Sequence, residues 1–480
     1  MKKILILWFT VVGFWACQKK TLPPEPIGPL PSPAQLAWHQ MELNAFVHFT
    51  TNTFTGKEWG YGDEDPVIFN PSALNTDQWA ETFAQCGFKG VILTCKHHDG
   101  FCLWPSQYTD HSVKSSPWLD GQGDVVKMLA ASCAKYGLKF GVYLSPWDRN
   151  YADYGQPAYV DYYRKQLEEL FTNYGPVFEM WFDGANGGDG YYGGTREIRQ
   201  VDRRTYYDWP KTIELVRGWN PEVIFFSDAG PSIRWCGNEK GFAGETNWCT
   251  MSIDTLYPGQ ADITALLNRG AEDGQNWVPA EVDVSIRPGW FYHAEEDTAV
   301  KSPEKLFEIF LSSVGRGSNL LLNVPPDRRG LLHENDVAAL KGWRKLLDEA
   351  FSSDLAKSAL VSAPAWRGKD MVYGPGNVND GNPNTYWATD DGQVAGELIL
   401  DLGSEKTLHY IQLLEHIPLG QRVKAFTVSI KKGEQWDKVA EGTTIGYKRI
   451  LPLGGIQASE IKVNILEAKA CPLISEISIF

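Results

Sequence analysis

Gly90-Val-Ile-Leu-Thr-Cys-Lys-His-His-Asp-Gly-Phe-Cys-Leu-Trp104 is the stretch from which the fold reads most directly. Gly90–Cys95 is an apolar, partly β-branched run, too short for a helix, and such a run reads as a strand buried on both faces. Ionisable residues begin where the run ends. The same succession recurs along the chain. Ala45–Phe49 carries His48 near its end, Phe140–Ser145 is followed by Trp147-Asp148, and Phe178–Phe182 is followed by Asp183. Val223–Phe226, Ala280–Ser285 and Leu320–Val324 continue the series. Between several of these runs the apolar period becomes helical. In Asn75–Cys86, Trp79, Phe83 and Cys86 fall on one face, with Thr76-Asp77 as the cap; Asp124–Tyr136 and Tyr159–Tyr174 behave likewise. About seven strand–helix units predict a parallel sheet closed into a (β/α)8-like, TIM-type barrel over residues 34–352. Function in such barrels sits at the C-terminal ends of the strands. His48, Lys96, His97, His98, Asp99, Trp147, Asp148 and Asp183 are therefore expected to form one site.

The pattern changes near residue 355. Glu397–Leu402, Tyr410–Leu414, Ala425–Ile430 and Ile474–Phe480 are short alternating runs between Gly/Asn/Asp turns, which predicts an antiparallel β-sandwich over residues 353–480. The other end reads as a targeting segment. Lys2 and Lys3 precede an apolar run, Ile4 to Trp15, that is too short to span a bilayer and so reads as a signal peptide over residues 1–17. It closes on Ala16-Cys17, which resembles a bacterial lipoprotein box and implies lipidation of Cys17. That predicts an exported, membrane-tethered protein in the periplasm or at the outer membrane. The Pro-rich residues 18–33 read as a semi-rigid spacer.

Composition narrows the function. The chain sets 45 Lys and Arg against 59 Asp and Glu, a formal net charge of −14, and has no basic run. It is a poor partner for nucleic acid or an anionic surface. Its 19 Trp, 20 Tyr and 22 Phe permit stacking on sugar rings, although a large core uses aromatics too. Beyond Cys17, the cysteines form no C-x-x-C pair and no even framework, so they read as small buried hydrophobes.

Three segments carry chemistry. His97 and His98 cannot both face a barrel interior from one strand, since neighbours alternate faces, but past the strand end both can reach a ligand. A zinc site and hydrogen bonding to sugar hydroxyls are both open for them, as is burial in the core; a metallohydrolase barrel favours His-x-His on the first strand, which here offers only His48. In Phe178-Glu-Met-Trp-Phe-Asp-Gly-Ala-Asn186, an Asp held before a Gly at a strand end suits a nucleophile, and equally a turn cap. The Gly-rich loop after the next run brings Glu239 and Glu245. A carboxylic acid there, across a sugar from Asp183, would complete the pair of a retaining glycosidase, whose carboxyl groups stand about 5–5.5 Å apart.

At these segments the chain resembles glycoside hydrolase family 29, the α-L-fucosidases. The resemblance rests on Phe46-Val-His-Phe, Glu58-Trp59, Cys95-Lys-His-His-Asp-Gly-Phe, Gly141-Val-Tyr, Met180-Trp-Phe-Asp-Gly, Arg287-Pro-Gly-Trp-Phe-Tyr and Leu320-Leu-Leu-Asn-Val-Pro-Pro-Asp-Arg-Arg-Gly330. It implies release of terminal α-L-fucose through a covalent fucosyl-enzyme intermediate, with Asp183 as nucleophile. It implies His48, Glu58, Trp59, His97, His98, Tyr143 and Trp181 as sugar-binding positions, and Trp290 as a stacking platform. Arg234-Trp-Cys-Gly-Asn-Glu239 resembles the subfamily acting on α-1,3/4-linked fucose of branched, Lewis-type glycans and implies Glu239 as acid/base, with Glu245 in reserve. His48-Phe-Thr, in place of His-Trp-Gly, points the same way. No catalytic cofactor is implied. Asn379-Asp-Gly-Asn-Pro-Asn-Thr-Tyr-Trp-Ala388 and Gly396-Glu-Leu-Ile-Leu-Asp-Leu-Gly403 resemble a discoidin-type (coagulation factor V/VIII type C) module, which implies a structural Ca²⁺ near Asp380 and Glu476. The competing readings are a catalytically inactive glycan-binding lipoprotein and a metallohydrolase on the same barrel.

Overall fold

The computed structural model describes residues 21–480. The signal peptide and Cys17 lie outside the described residues. Eight parallel strands close into a barrel: β1 (Leu43–Val47), β2 (Gly90–Lys96), β3 (Lys139–Leu144), β4 (Val177–Trp181), β5 (Ile224–Ser227), β6 (Ile233–Trp235), β7 (Ala280–Ser285) and β8 (Asn319–Asn323). β1 pairs with both β2 and β8, which removes the sheet edges. β6 has no counterpart among the runs read as strands. It spans Ile233–Trp235 and follows β5 with no intervening helix, so neither the period nor the spacing marks it.

Helices cover the barrel. α1 (Pro33–His39) precedes β1 and carries a capping box between Ser32 and Gln35. α2 (Thr76–Gln85), α3 (Val125–Tyr136), α4 (Pro157–Asn173) and α5 (Trp209–Trp219) follow β1 to β4. α6 (Thr264–Arg269), α7 (Pro303–Ser312) and α8 (Glu334–Phe351) follow β6, β7 and β8. The cap of α2 is Asn75, whose side chain accepts from the Gln78 N–H at 3.2 Å, rather than Thr76-Asp77. The interior holds Phe46, Ile92, Tyr143, Trp181, Ile224, Phe226, Ile233 and Leu321, with Trp38 of α1 packed against them. Gly141 is small because it must be: a Cβ there would come 2.9 Å from Ile92 Cγ1 and 3.0 Å from the Phe178 ring.

The second unit is an antiparallel sheet system of β9 (Leu360–Ser362), β10 (Trp387–Ala388), β11 (Gly396–Glu415), β12 (Val423–Lys432), β13 (Gln435–Gly442), β14 (Arg449–Ala468) and β15 (Leu473–Ile479), around its own apolar core. The runs 397–402 and 410–414 are one strand, β11, interrupted by irregularities between Asp401 and Tyr410 that mask its length. This unit packs on the barrel where Glu42 and Arg316 lead into β1 and β8, remote from the strands' C-terminal ends. Lys448 pairs with Glu42 at 2.5 Å, and the Arg449 guanidinium donates to the Glu245 carbonyl at 2.8 Å. Phe351 packs against Tyr410 and Phe480. The Pro-rich stretch does not stand free where it is described: Leu22, Glu25 and Ile27 hydrogen-bond to Arg367, Arg422 and Leu419 of the second unit. All seven cysteines of the described residues are buried and unpaired.

Candidate active site

Each strand end places its side chains by the same logic: the last inward position of the strand and the first loop residues share the barrel mouth. Just past β1, His48 hydrogen-bonds through Nδ1 to Asn323 Oδ1 of β8 at 2.8 Å. His97 and His98 follow β2, their rings 4.1 Å apart between centroids, and both are buried. His98 Nδ1 meets the Ser145 hydroxyl at 2.7 Å. Burial holds the pKa of His48 and of His98 down to about 3 and pushes that of His97 well down too, so all three imidazoles are neutral at pH 7. They can exchange hydrogen bonds with hydroxyl groups without adding positive charge.

Asp183 follows β4. Its Oδ1 accepts from the Ala185 N–H at 2.6 Å and its Oδ2 from the Tyr143 hydroxyl at 2.9 Å, with His98 Nε2 3.9 Å away. Burial raises its pKa, while both donors favour the charged form. Trp181 stacks on Phe226 at 3.9 Å and donates from Nε1 to Glu281 at 3.1 Å, so its ring forms the floor.

Glu239 comes from the turn after β6. Gly237, at φ +80°, makes that turn possible; a Cβ there would lie 2.4 Å from the Thr264 carbonyl. Asn238 pins the turn by donating to the Phe242 carbonyl at 2.9 Å. Glu239 accepts from Trp290 Nε1 at 3.2 Å, and the Trp290 ring lies 5.2 Å from that of His48. Burial raises the Glu239 pKa, and the charges of Asp183 and Glu58 raise it further. The two carboxyl groups therefore face one space, joined around its wall by Tyr143, His48 and Trp290.

Glu58 accepts from the Trp290 and Phe291 N–H groups at 2.8 and 3.2 Å and meets His293 Nε2 at 2.6 Å, so it holds the loop that presents Trp290. Trp59 is half exposed at the rim, edge-on to His98 and Trp147.

Four residues expected at the mouth, Lys96, Asp148, Asp99 and Glu245, are elsewhere. Lys96 points outward and forms a buried pair with Asp148 at 3.0 Å, because one more residue of strand carries it to the outer face. Asp99 turns back to accept from the Thr50 and Thr51 hydroxyls, both at 2.7 Å. Glu245 is also displaced: its exposed carboxylate pairs with Arg316 at 3.1 Å, on the side where the second unit docks. Several residues of the site escaped the sequence. Asn323 is the one polar residue inside the quoted run Leu320–Val324, which was its signal. Asp228 follows β5 and sits against the turn after Asp183. Asp283, inward on β7, accepts from Trp235 Nε1 at 2.8 Å and faces Glu239. Arg234 is fully buried and donates to the Leu267 and Trp248 carbonyls at 2.8 and 3.0 Å, and to Asn247 Oδ1 and the Val278 carbonyl, which fixes the segments around Glu239.

A cleft of about 850 Å³ lies at the other end of the barrel, lined by Ala34, Trp38, Ala130, Ala134, Tyr174 and Phe178 among others, with Lys127, Lys139 and Glu222 also lining it. Among the described residues no three or more His, Cys, Asp or Glu side chains converge as a metal cage. In the second unit Asp380 accepts from the Asn382 N–H at 2.8 Å and the Thr385 hydroxyl at 2.7 Å. Burial, with Asp354 and Asp380 facing it, pushes Glu476 up to about 7.

Comparison with known proteins identifies both units. Residues 30–349 match the alpha-L-fucosidase family and residues 358–477 the F5/8 type C domain. The chain is 41% identical over 463 residues to alpha-L-fucosidase 1 of Arabidopsis thaliana, covering 95% of this chain and 88% of that one. Among solved structures, a glycoside hydrolase 29 family member from an unknown rumen bacterium superposes with a TM-score of 0.85 at 43% identity, covering 95% of this chain and 78% of that one. A Ruminococcus gnavus GH29 fucosidase in complex with fucose gives a TM-score of 0.85 at 32% identity, covering 96% and 97%. The chain belongs to the alpha-L-fucosidase family of glycoside hydrolases.

Proposed function

We propose that the chain is a retaining exo-fucosidase acting on α-1,3/4-linked fucose of branched glycans. Asp183 attacks the anomeric carbon as Glu239 protonates the glycosidic oxygen; the C–O bond breaks and a fucosyl ester forms on Asp183. Glu239, now a carboxylate, takes a proton from water, whose oxygen displaces Asp183 and restores both groups. The observation that carries this reading is the difference between the two carboxyl groups. Burial raises the pKa of both, but two hydrogen bonds, from Tyr143 and the Ala185 N–H, favour the Asp183 anion, whereas Glu239 accepts one, from Trp290, and faces that anion. His48, His97, His98 and Tyr143 present neutral donors and acceptors for sugar hydroxyls, and Trp290 and Trp181 offer aromatic faces. Incubation with Lewis-type oligosaccharides and with an aryl α-L-fucoside tests the reading. Release of fucose from the branched substrates, little from the aryl compound, and the α-anomer as first product by NMR support it; equal turnover of both classes refutes the linkage, and a β-anomer refutes retention.

The same proposal tethers the enzyme to a membrane through lipidated Cys17, and Cys17→Ala is expected to move it to the soluble fraction. In the second unit, Asp380 and Glu476 are hard-cation donors, and the like charges raising Glu476 are what a bound Ca²⁺ would relieve, with main-chain and hydroxyl oxygens completing its shell. Removal of Ca²⁺ by chelation is then expected to lower the melting temperature of this unit and leave fucose release intact.

A further inference from the structure

We propose that Asp228 is a positioning residue for this reaction: its carboxylate clamps the turn that presents Asp183 and sets a second negative charge against it. The inference rests on Asp183 as nucleophile. Asp228 is the first residue after β5, the strand that neighbours β4. Its carboxylate lies directly on Gly184: a Cβ there would meet Asp228 Oδ2 at 2.2 Å and Oδ1 at 2.9 Å. Only a residue without a side chain can follow Asp183 while Asp228 keeps this place.

The other side of the clamp is the segment around Gly259. Its N–H donates to Asp228 Oδ2 at 2.7 Å, and a Cβ on Gly259 would lie 2.4 Å from the Gly184 carbonyl. Arg203 donates to the Gly259 carbonyl, and Asn186 Nδ2 donates to the Gly184 carbonyl at 2.8 Å. Gly184, Asp228 and Gly259 are thus packed backbone to carboxylate to backbone, next to the one residue whose carboxylate must attack within a few tenths of an ångström of its ideal position.

Charge gives the clamp a second effect. The charged groups facing Asp228 are Asp183, on the turn after β4, and Arg203, on the insertion that follows; the segment around Gly259 contributes a main-chain N–H. Burial, and beyond it the charge of Asp183, push Asp228 up to about 6. Asp183 therefore ionises while Asp228 still holds its proton, and as pH rises through about 6 the Asp228 carboxylate adds a second negative charge that strengthens Asp183 as a nucleophile. A neutral isostere leaves the acceptor for the Gly259 N–H but lifts this effect.

The test compares the pH dependence of kcat/KM for wild type, Asp228→Asn and Asp228→Ala on one fucosylated oligosaccharide, with melting temperatures alongside. Asp228→Asn is expected to remove the rise in kcat/KM that accompanies ionisation near pH 6 and to lower kcat at neutral pH severalfold with little change in KM. Asp228→Ala, which also frees the turn, is expected to lose roughly tenfold to a hundredfold in kcat. Asp228→Ser replaces the Asn variant should that fail to fold. A pH profile that keeps the rise near pH 6 in the neutral variant, with wild-type kcat, overturns the proposal. Asp183→Ala separates the two readings: if it stays active, the nucleophile assignment has failed, whereas an inactive Asp183→Ala beside an unaltered Asp228→Asn removes only the role of Asp228.

Discussion

Tyr143 shows how one hydroxyl tunes a carboxylate. Its O–H donates to Asp183 Oδ2 at 2.9 Å, and burial pushes its own pKa far up, so it stays a donor throughout the working range. Tyr143→Phe removes a hydrogen bond to a charged group, a change of about 1.5–3 kcal/mol for that anion. Asp183 then holds its proton to higher pH, so the acid limb of kcat/KM is expected to rise by about one to two pH units. A pH–rate profile of the variant checks this. Glu239 is the opposite case. As the proposed acid it must be protonated, so activity is expected to fall as pH rises through its raised pKa. Glu239→Gln is expected to abolish that alkaline limb and to cost about a hundredfold or more on glycans, but far less on an aryl fucoside whose leaving group departs without protonation. Both carboxylates were singled out in the sequence: Asp183 by its place before Gly at a strand end, which suits a turn cap equally, and by its family motif, Glu239 by its family motif. Asp228 and Asp283 were not, since nothing local separates an inward acid from a turn acid until the barrel closes.

At the scale of elements, legibility followed length. β1 to β5, β7 and β8 were read because each is a continuous buried run. β6 was missed because Ile233–Trp235 is shorter than either period can reveal, and its pairing is decided by β5 and β7 on either side. The outward turn of Lys96 is a further effect of register: an alternating strand assigns faces only once its last residue is known. Arg234 couples β6 to the segments around Glu239 through four acceptors, all buried. Arg234→Met strands these carbonyls without a donor and is expected to cost about 3 kcal/mol or more in stability. Equilibrium urea unfolding of the variant measures it.

The whole molecule carries an acid pair at its centre. Glu179 and Glu281 are fully buried inside the barrel, and each accepts one indole N–H, from Trp38 at 3.0 Å and Trp181 at 3.1 Å. Their remaining oxygens have no other partner, so the two carboxyl groups share a proton. Burial raises both, Glu179 to about 8. A carboxyl group raised above its unfolded value binds more protons in the folded state, so its stabilisation is complete below about pH 4.5 and is lost as pH rises toward about 8. Glu281→Gln keeps an acceptor for Trp181 and offers Glu179 a permanent donor. It is expected to flatten the decline of melting temperature between about pH 5 and 8, which thermal unfolding across that range shows. Trp181 joins this pair to the floor of the site, so the core that stabilises the barrel also seats the platform under the sugar.

The central claim is that Asp183 carries the fucosyl group between the two chemical steps. The most direct measurement is mass spectrometry of peptides from enzyme treated with a 2-deoxy-2-fluoro-α-L-fucosyl donor, which forms the glycosyl ester quickly and releases it slowly. The account predicts one added 2-fluorofucosyl mass, on the peptide containing Asp183 and on that residue. An adduct on any other side chain, or full turnover of the donor with inverted product and no adduct, would contradict it.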